Sequence, residues 1–282
     1  MYTCLEVINH VREMAGLSLV ATPVAAPAAS PVATEEWYKN KCMSWNGTTI
    51  GTPSLLMTEV IADQLLNDPQ ISGIFPGAIP RITRKSSYNS GPGHNGITAA
   101  PQKKPDEERY AIALYNQNHG CLGPLGQIFD YQVPLKNQRS DRAGKIDLVS
   151  YNAQTKTVYL IELKIKASSE TLLRCVTEIE TYYHQLDHAK FLQDHQLCGN
   201  EIKKAVLIFE DSRQHESLTP ASAMPNWRAL CTTYGIQVFT IGNASNPPVS
   251  LDVTDDPTWA ALGYRPILTP AGSQIRVQQV FP

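Results

Sequence analysis

Two apolar runs near the middle of the chain constrain its fold more than any other feature. Residues 144–151 and 157–166 are both rich in Val, Ile, Leu and Tyr, and the polar segment 152–156 separates them. Runs of this length and composition are typical of β-strands, and a short polar gap between two of them is typical of a hairpin loop. The sequence therefore predicts two consecutive antiparallel strands, around which the rest of the chain is interpreted.

Three polar side chains lie inside these apolar runs. Because side chains alternate between the two faces of a strand, Glu162 and Lys164 share one face, and Asp147 on the neighbouring strand can face the same point. A buried carboxylate without a partner is unfavourable, so the group needs a cation or a proton. One solution is a salt-bridged cluster at the end of the sheet.

The other solution is a site for a hard cation. Mg²⁺ prefers oxygen ligands and retains open positions for phosphate, and Asp147, Glu162 and the main-chain carbonyl of Leu163 offer such ligands. Lys164 would then hold or activate the attacking water and offset charge on a phosphate. The spacing alone favours neither solution over the other.

The pattern Asp147…Glu162-Leu163-Lys164 resembles the signature of the PD-(D/E)XK nuclease superfamily, with Ile146 in the position of the proline. The resemblance implies an α/β fold with a restriction-endonuclease-like core. In that core a mixed central sheet is flanked by helices, and the elements follow in the order helix, three strands, helix, strand. The resemblance also implies a metal-dependent endonuclease that uses Mg²⁺, or Mn²⁺ in its place, with DNA as the expected substrate. Asp147, Glu162 and Lys164 are then the expected catalytic residues.

A long helix is predicted to follow the hairpin over residues 168–193. Ser168 or Ser169 is a suitable N-cap, and Glu170 suits the first turn, where acidic side chains interact favourably with the helix dipole. Apolar residues at helical spacing give the helix a buried stripe.

Polar side chains flank this apolar stripe. Some branches of the superfamily carry a Gln-x-x-x-Tyr motif on this helix, and Glu178-x-x-x-Tyr182 resembles it with Glu in place of Gln. The resemblance implies that Tyr182 is a catalytic residue, and that Glu178 is a third carboxylate near the metal or a partner for Arg174. The alternative is that these residues form the solvated rim of an amphipathic helix.

An earlier helix, predicted over residues 105–118, begins with acidic residues. Glu107 precedes Tyr110 and Leu114 by three and seven positions, so it lies on the inward side, with Glu108 as its substitute if the register differs by one. The superfamily uses a Glu on its first core helix, which implies that Glu107 is a further metal ligand. The alternative is an ordinary acidic first turn.

Charge balance does not by itself identify a partner. The 282 residues include 24 basic and 26 acidic side chains, which give a net charge of −2. Their distribution is more informative, because basic residues cluster just before Asp147, and Arg142 and Lys145 are expected to contact phosphates there. A second basic segment, 81–104, is as consistent with a solvated loop as with phosphate contact.

Composition divides the chain into five segments. A short helix is predicted within residues 1–20, and a Pro/Ala-rich linker follows at 21–34. A helical and loop region spans 35–104, the nuclease-like core spans 105–245, and a proline-rich tail spans 246–282. The tethered first helix could dock on its own chain, on a partner or on a second copy.

Cysteine usage and hydropathy bear on the compartment. The six cysteines are scattered and form no CxxC pair, and the chain contains neither a secretory signal nor an apolar run long enough to span a membrane. We expect a reduced, cytoplasmic protein without membrane contact.

Two alternatives compete with the nuclease hypothesis. His184 and His188 lie four positions apart on the predicted helix, and with His195 and Cys198 they could form a zinc site. The chain could also be a catalytically silent nucleic-acid-binding or assembly protein built on a nuclease-like scaffold. Metal-dependent turnover discriminates between that possibility and an enzyme.

Overall fold

The computed structural model is organised around a central mixed sheet with helices on both faces. It describes residues 1–20, 30–90, 94–98, 106–138, 141, 143–218, 224–245, 247–253, 263–269 and 274–281. The strands are β1 (Gln127–Pro134), β2 (Lys145–Asn152), β3 (Thr157–Lys164), β4 (Glu201–Phe209), β5 (Ile236–Gly242), β6 (Val249–Asp252), β7 (Tyr264–Ile267) and β8 (Arg276–Phe281).

Six of these strands form the main sheet in the order β1-β2-β3-β4-β5-β8. Strands β1, β2 and β3 pair antiparallel, β3, β4 and β5 pair parallel, and β8 adds antiparallel to β5. Strands β6 and β7 form a separate antiparallel pair. The predicted hairpin is therefore confirmed, and its second strand is at the centre of the sheet.

The helices are α1 (Cys4–Met14), α2 (Met57–Asn67), α3 (Pro69–Ser72), α4 (Glu107–Asn116), α5 (Leu172–Gln185), α6 (His188–Asp194), α7 (Arg213–Ser217) and α8 (Pro225–Tyr234). The central part of the chain thus follows the order α4, β1, β2, β3, α5, α6, β4. This confirms a mixed α/β fold with a central sheet flanked by helices. Among the described residues, no helix combines the length and the apolar character needed to cross a membrane.

Strand β3 is buried at every position, because α4 and α5 cover its two faces. Val158 and Leu160 join the core cluster that contains the apolar side of α5, whereas Ile161 and Leu163 join the cluster that contains α4. This is the alternation that the sequence predicted. Full burial of an aliphatic side chain stabilises a fold by about 1.5–3 kcal/mol. Polar side chains at Glu162 and Lys164 therefore forgo that stabilisation.

The first helix docks on its own chain. Val7 and Val11 are fully buried in the same core cluster as the apolar residues of α2, and the Arg12 guanidinium forms an ion pair with Asp68. Thr3 and Glu6 form a capping box at the start of the helix. Much of the predicted linker, at 21–29, lies outside the described residues.

The helix after the hairpin begins later than predicted. Thr171, not Ser168 or Ser169, is the N-cap, and its hydroxyl accepts a hydrogen bond from the Arg174 N–H at 3.1 Å. The Ser168 hydroxyl instead accepts from the Glu170 N–H at 3.3 Å. This local turn keeps Glu170 outside the helix, so its predicted place in the first turn is wrong.

The same helix also ends earlier than predicted, since α5 stops at Gln185 and α6 begins at His188. The Ile82 N–H donates to the Gln185 carbonyl at 2.7 Å, which removes that carbonyl from the helical pattern. The Asp187 side chain then caps α6 by accepting from the Lys190 N–H at 3.2 Å. A contact from a distant segment therefore breaks a helix that the local pattern predicts as continuous.

Candidate active site

The Lys164 side chain is the centre of a buried group of charges at the end of β3. It is 3% exposed. Its ammonium nitrogen lies within ion-pair distance of four carboxylates: 2.5 Å from Glu162, 2.9 Å from Glu170, 3.2 Å from Glu107 and 3.8 Å from Glu178. A buried ammonium needs anionic partners to offset its loss of hydration, and strand β3, the loop before α5, and helices α4 and α5 supply them.

Asp147 is held by the backbone of the neighbouring strand. The regular pairing of β2 with β3 ends at Leu148 and Ile161, and just beyond it the Asp147 carboxylate accepts a hydrogen bond from the Leu163 N–H at 2.9 Å. Its other oxygen accepts from the Gln132 amide at 2.9 Å. The carboxylate therefore takes the place of a main-chain acceptor at this point, which fixes it beside the carboxylate cluster.

Gln132 has an unusual backbone for a strand residue, with φ of +50°. This left-handed conformation costs roughly 1–3 kcal/mol for residues other than glycine. In this conformation the Gln132 side chain contacts Asp147, so the strained residue lies at the edge of the site.

Tyr182 connects the cluster to the N-terminal region. Its hydroxyl donates to Glu178 at 2.7 Å and lies 3.3 Å from the hydroxyl of Tyr38, which belongs to a short 3-10 helix at Thr34–Lys39. Burial and the charge of Glu178 raise the pKa of Tyr182, so its hydroxyl remains a donor. A methyl group at Gly144 would collide with this hydroxyl, so the close approach of the β2 segment requires glycine.

Arg174 binds Glu170, not Glu178. Its guanidinium lies 2.9 Å from one Glu170 oxygen and donates to the Ser44 hydroxyl at 3.3 Å. The other Glu170 oxygen faces Lys164. Arg174 therefore orients the Glu170 carboxylate. Glu178 belongs to the cluster through its contacts with Lys164 and with the Tyr182 hydroxyl.

Negative charge exceeds positive charge in this group, since five carboxyl groups face two cations. Burial raises the pKa of Asp147 to about 7 despite the opposing charge of Lys164. Burial and the neighbouring Glu178 raise the pKa of Glu162 well above its ordinary value, and burial also raises the pKa of Glu107. Burial alone would lower the pKa of Lys164, but the charges of Glu162 and Glu178 outweigh it and raise that pKa. Burial therefore disfavours full ionisation of these carboxyl groups, and a further bound cation would offset that cost.

The donor atoms of the cluster are those that a hard cation prefers. Oxygens of Glu162, Glu170 and Glu178 all lie within 4.8 Å of one another. One oxygen of Glu170 and one of Glu178 are buried without a hydrogen-bond donor, although both face the Lys164 ammonium. Carboxylate oxygens of this kind suit Mg²⁺ or Mn²⁺ better than Zn²⁺, which prefers nitrogen and sulfur. These donors are of the type that a hard divalent cation prefers, whereas the predicted ligand set of Asp147, Glu162, the Leu163 carbonyl and Glu107 stays a prediction.

The predicted phosphate contacts lie at the start of β2. Lys145 is exposed at the first position of the strand, across from Pro134. Residues two positions apart on a strand share a face, so Lys145 lies on the same face of β2 as Asp147. Arg142 lies outside the described residues. An exposed lysine two positions before Asp147 is suitably placed for a phosphate, and contact with one stays a prediction.

The alternative zinc site is not formed. The His184 ring lies 3.0 Å from Glu180, and the His188 ring lies 2.7 Å from the Tyr183 carbonyl. Across the described part of the chain, the group of three carboxylates already named is the one metal-type cluster, and it contains neither histidine nor cysteine. The six cysteines, including the exposed Cys198, are unpaired.

Three residues of the site were missed by sequence reasoning. The position of Glu170 in the sequence could have identified it, because Glu170, Arg174, Glu178 and Tyr182 follow one another at intervals of four residues, the spacing of one face of a helix. Tyr38 and Gln132 had no comparable signal, since Tyr38 lies 144 residues from its partner and the Gln132 contact depends on an unusual φ.

No protein-family model matches the chain, and neither a curated protein nor a solved structure matches it. The geometry and the chemistry of the site are therefore the basis for a functional proposal.

Proposed function

We propose that this chain is a metal-dependent nuclease that hydrolyses phosphodiester bonds, with DNA as its first candidate substrate and Mg²⁺, or Mn²⁺ in its place, as its cofactor. One observation carries the proposal: a buried Lys164 lies among carboxylates at the end of the central strand, beside Asp147 on the next strand. The order α4, β1, β2, β3, α5, β4 supports a restriction-endonuclease-like core of the PD-(D/E)XK type, with α6 as an addition.

The carboxylates are suited to hold the cation. Glu162, Glu170 and Glu178 offer the closest oxygens, and Asp147 with the Leu163 carbonyl extends the set along β2 and β3. A bound Mg²⁺ would offset charge on the phosphate and lower the pKa of a bound water. Because burial raises the pKa of Asp147 to about 7 and shifts the pKa of Glu162 in the same direction, cation binding at these carboxylates is expected to compete with protons.

Lys164 is better suited to stabilising negative charge than to abstracting a proton. Its raised pKa keeps it protonated, so it donates hydrogen bonds and offsets negative charge on the phosphate or the attacking water. A general base near neutral pH would need a pKa close to the working pH.

The remaining residues have supporting roles in this proposal. Tyr182 donates to Glu178 and fixes its orientation, Arg174 does the same for Glu170, and Glu107 completes the ring around Lys164. Lys145 and Arg142 would contact the phosphate backbone, which predicts weaker substrate binding at higher salt.

A second candidate function is a silent binding or assembly protein on the same scaffold. The observation that favours it is that Lys164 already pairs with its carboxylates, and both Asp147 oxygens already accept hydrogen bonds. Lys164 and Asp147 thus have partners without a divalent ion, and breaking a buried ion pair costs roughly 3–5 kcal/mol.

Cleavage assays on a matched pair of lysine variants separate the two candidates. Labelled single-stranded and double-stranded DNA and RNA are incubated with wild type, Lys164→Gln or Lys203→Gln, in Mg²⁺, Mn²⁺ or EDTA. Lys203 is the control because it forms a half-exposed ion pair with Glu201 on β4, away from the cluster. We expect metal-dependent products, a loss of about 100-fold or more in Lys164→Gln, and no change in Lys203→Gln. Equal activity in both variants would refute the role of Lys164, and a folded wild type without products would favour the second candidate.

A further inference from the structure

The N-terminal segment at residues 34–44 packs along α5 and consists of two consecutive short 3-10 helices. Trp37 anchors it by stacking on Phe75, with 5.5 Å between the ring centroids, and Met43 is fully buried in the core cluster that contains the apolar side of α5. The Met43 carbonyl also accepts a hydrogen bond from the hydroxyl of Thr171, the N-cap of α5. The segment is therefore fixed against the helix that supplies two members of the site.

Tyr38, in the first of these 3-10 helices, donates a hydrogen bond to Tyr182. The two hydroxyl oxygens lie 3.3 Å apart, and Tyr38 is 2% exposed. A hydroxyl has one proton to donate, and Tyr182 directs its own to the Glu178 carboxylate at 2.7 Å. Tyr38 is therefore the donor in the tyrosine pair. Burial and the charge of Glu178 raise the pKa of Tyr38, so its hydroxyl keeps the proton that it donates.

Ser44, in the second 3-10 helix, has the same relation to Arg174. The Ser44 hydroxyl accepts from one guanidinium nitrogen of Arg174 at 3.3 Å, and another nitrogen of that guanidinium lies 2.9 Å from a Glu170 oxygen. Because the guanidinium is planar and rigid, fixing one of its nitrogens also orients the other. One side chain thus separates Ser44 from a carboxylate of the cluster, as one side chain separates Tyr38 from Glu178.

The two carboxylates reached in this way, Glu170 and Glu178, belong to the group of three whose oxygens lie within 4.8 Å of one another. Like charges at this distance repel, so other groups must hold the side chains in place. Groups that hydrogen-bond to metal-binding side chains fix their orientation, and removing them typically lowers metal affinity by roughly 10- to 100-fold. Tyr182 and Arg174 are such groups on α5, and the N-terminal segment contacts both of them.

We propose that Tyr38 and Ser44 are positioning residues of the site. Acting through side chains of α5, they keep the Glu170 and Glu178 carboxylates in the arrangement that binds a divalent cation. This inference rests on the proposed function, because it requires that the cluster binds Mg²⁺ or Mn²⁺. It extends the site to a segment that lies 144 and 130 residues from its partners in the chain.

Calorimetry with Mn²⁺ measures the effect of the segment on the cation site. Tyr38→Phe and Ser44→Ala are the test variants, because each removes one hydroxyl group. Tyr151→Phe is the matched control, since it removes a tyrosine hydroxyl that donates to Asn200 at 3.1 Å, at the end of β2 away from Asp147. We expect Mn²⁺ affinity to fall by about 3-fold in each test variant and about 10-fold in the double variant, with no change in the control. Equal affinities in wild type and the double variant would overturn the proposal.

A double-mutant cycle distinguishes positioning from a general loss of stability. If Tyr38 acts through Tyr182, then Tyr38→Phe lowers Mn²⁺ affinity in the wild-type background but not in Tyr182→Phe. The same loss in both backgrounds would show that Tyr38 supports the fold without acting through Tyr182, and would refute its positioning role.

Cleavage assays keep this inference separate from the nuclease proposal. In Tyr38→Phe we expect the cleavage rate to fall at low Mn²⁺ and to recover at saturating Mn²⁺, with the substrate KM unchanged. A loss that saturating Mn²⁺ does not restore would contradict a role in cation binding. If the variants bind Mn²⁺ more weakly than wild type but no protein cuts, the nuclease proposal fails while the positioning roles stand. A folded wild type that binds neither Mn²⁺ nor Mg²⁺ would overturn both.

Discussion

Replacing Asp147 by asparagine is expected to stabilise the protein at neutral pH in the absence of divalent ions. Burial raises the pKa of this carboxyl from its ordinary value of 3.8 to about 7. A group whose pKa is raised on folding binds its proton more tightly in the folded state. The folded state therefore loses stability as the pH rises above 3.8, and the full loss is reached above about pH 7.

The magnitude follows from the difference between the two pKa values. At about 1.36 kcal/mol per pH unit, ionising Asp147 destabilises the folded protein by about 4 kcal/mol above pH 7. Asparagine avoids this cost, and its amide oxygen still accepts from the Leu163 N–H. Its amide nitrogen faces the Gln132 amide, and a lost hydrogen bond there costs about 1 kcal/mol. We expect a net stabilisation of about 3 kcal/mol at pH 8 and, because only the lost hydrogen bond remains, a net destabilisation of about 1 kcal/mol at pH 4.

Urea unfolding in EDTA at these two pH values measures the effect. Asp187→Asn is the control, because hydrogen bonds from the Thr83 hydroxyl and the Lys190 N–H lower the pKa of that carboxyl. That variant should be less stable than wild type at pH 8, the opposite sign. Adding Mg²⁺ should stabilise wild type, by about 2.7 kcal/mol at 100 times the dissociation constant, and should not stabilise Asp147→Asn to the same degree. If Asp147→Asn is less stable than wild type at pH 8 in EDTA, then Lys164 fully compensates the buried charge and the reasoning fails.

Two further substitutions test the ligand shell and its support. Glu170→Gln removes one of the three clustered carboxylates, so calorimetry should show Mg²⁺ affinity falling by about 10-fold, and unchanged affinity would exclude Glu170 as a ligand. Gly144→Ala places a methyl group against the Tyr182 hydroxyl and should destabilise the protein by roughly 1–3 kcal/mol while cleavage falls. Thermal unfolding and cleavage rates check that variant, and wild-type values of both would show that Tyr182 has room to move.

Local patterns were sufficient to predict the strands that form the site. The apolar runs around residues 144–151 and 157–166 predicted the antiparallel pair, and alternation predicted the shared face of Glu162 and Lys164. Such patterns depend on neighbours within a few residues, which is the range that strand geometry links directly. The strand at 236–242 and the glycine that ends the preceding helix, Gly235, were predicted for the same reason.

Long-range contacts account for what the sequence did not predict. The start of α5 depends on Thr171, whose hydroxyl also donates to the Met43 carbonyl, and its end depends on the Ile82 contact. The approach of Tyr38 to Tyr182 likewise joins segments far apart in the chain. No periodicity encodes contacts of this kind, because they arise from how separate segments pack.

The measurement that tests the nuclease proposal most directly is cleavage of supercoiled, linear and single-stranded DNA in Mg²⁺ or Mn²⁺ by wild type and Asp147→Asn, with EDTA as the metal-free control. Asp147→Asn is the most informative inactive variant, because it should remain folded and be at least as stable as wild type. We expect wild type to cut with either metal but not in EDTA, and Asp147→Asn to cut at least 100-fold more slowly. Equal cutting by the two proteins, or no cutting by folded wild type on any of the three substrates, would contradict the proposal that this cluster is a nuclease site.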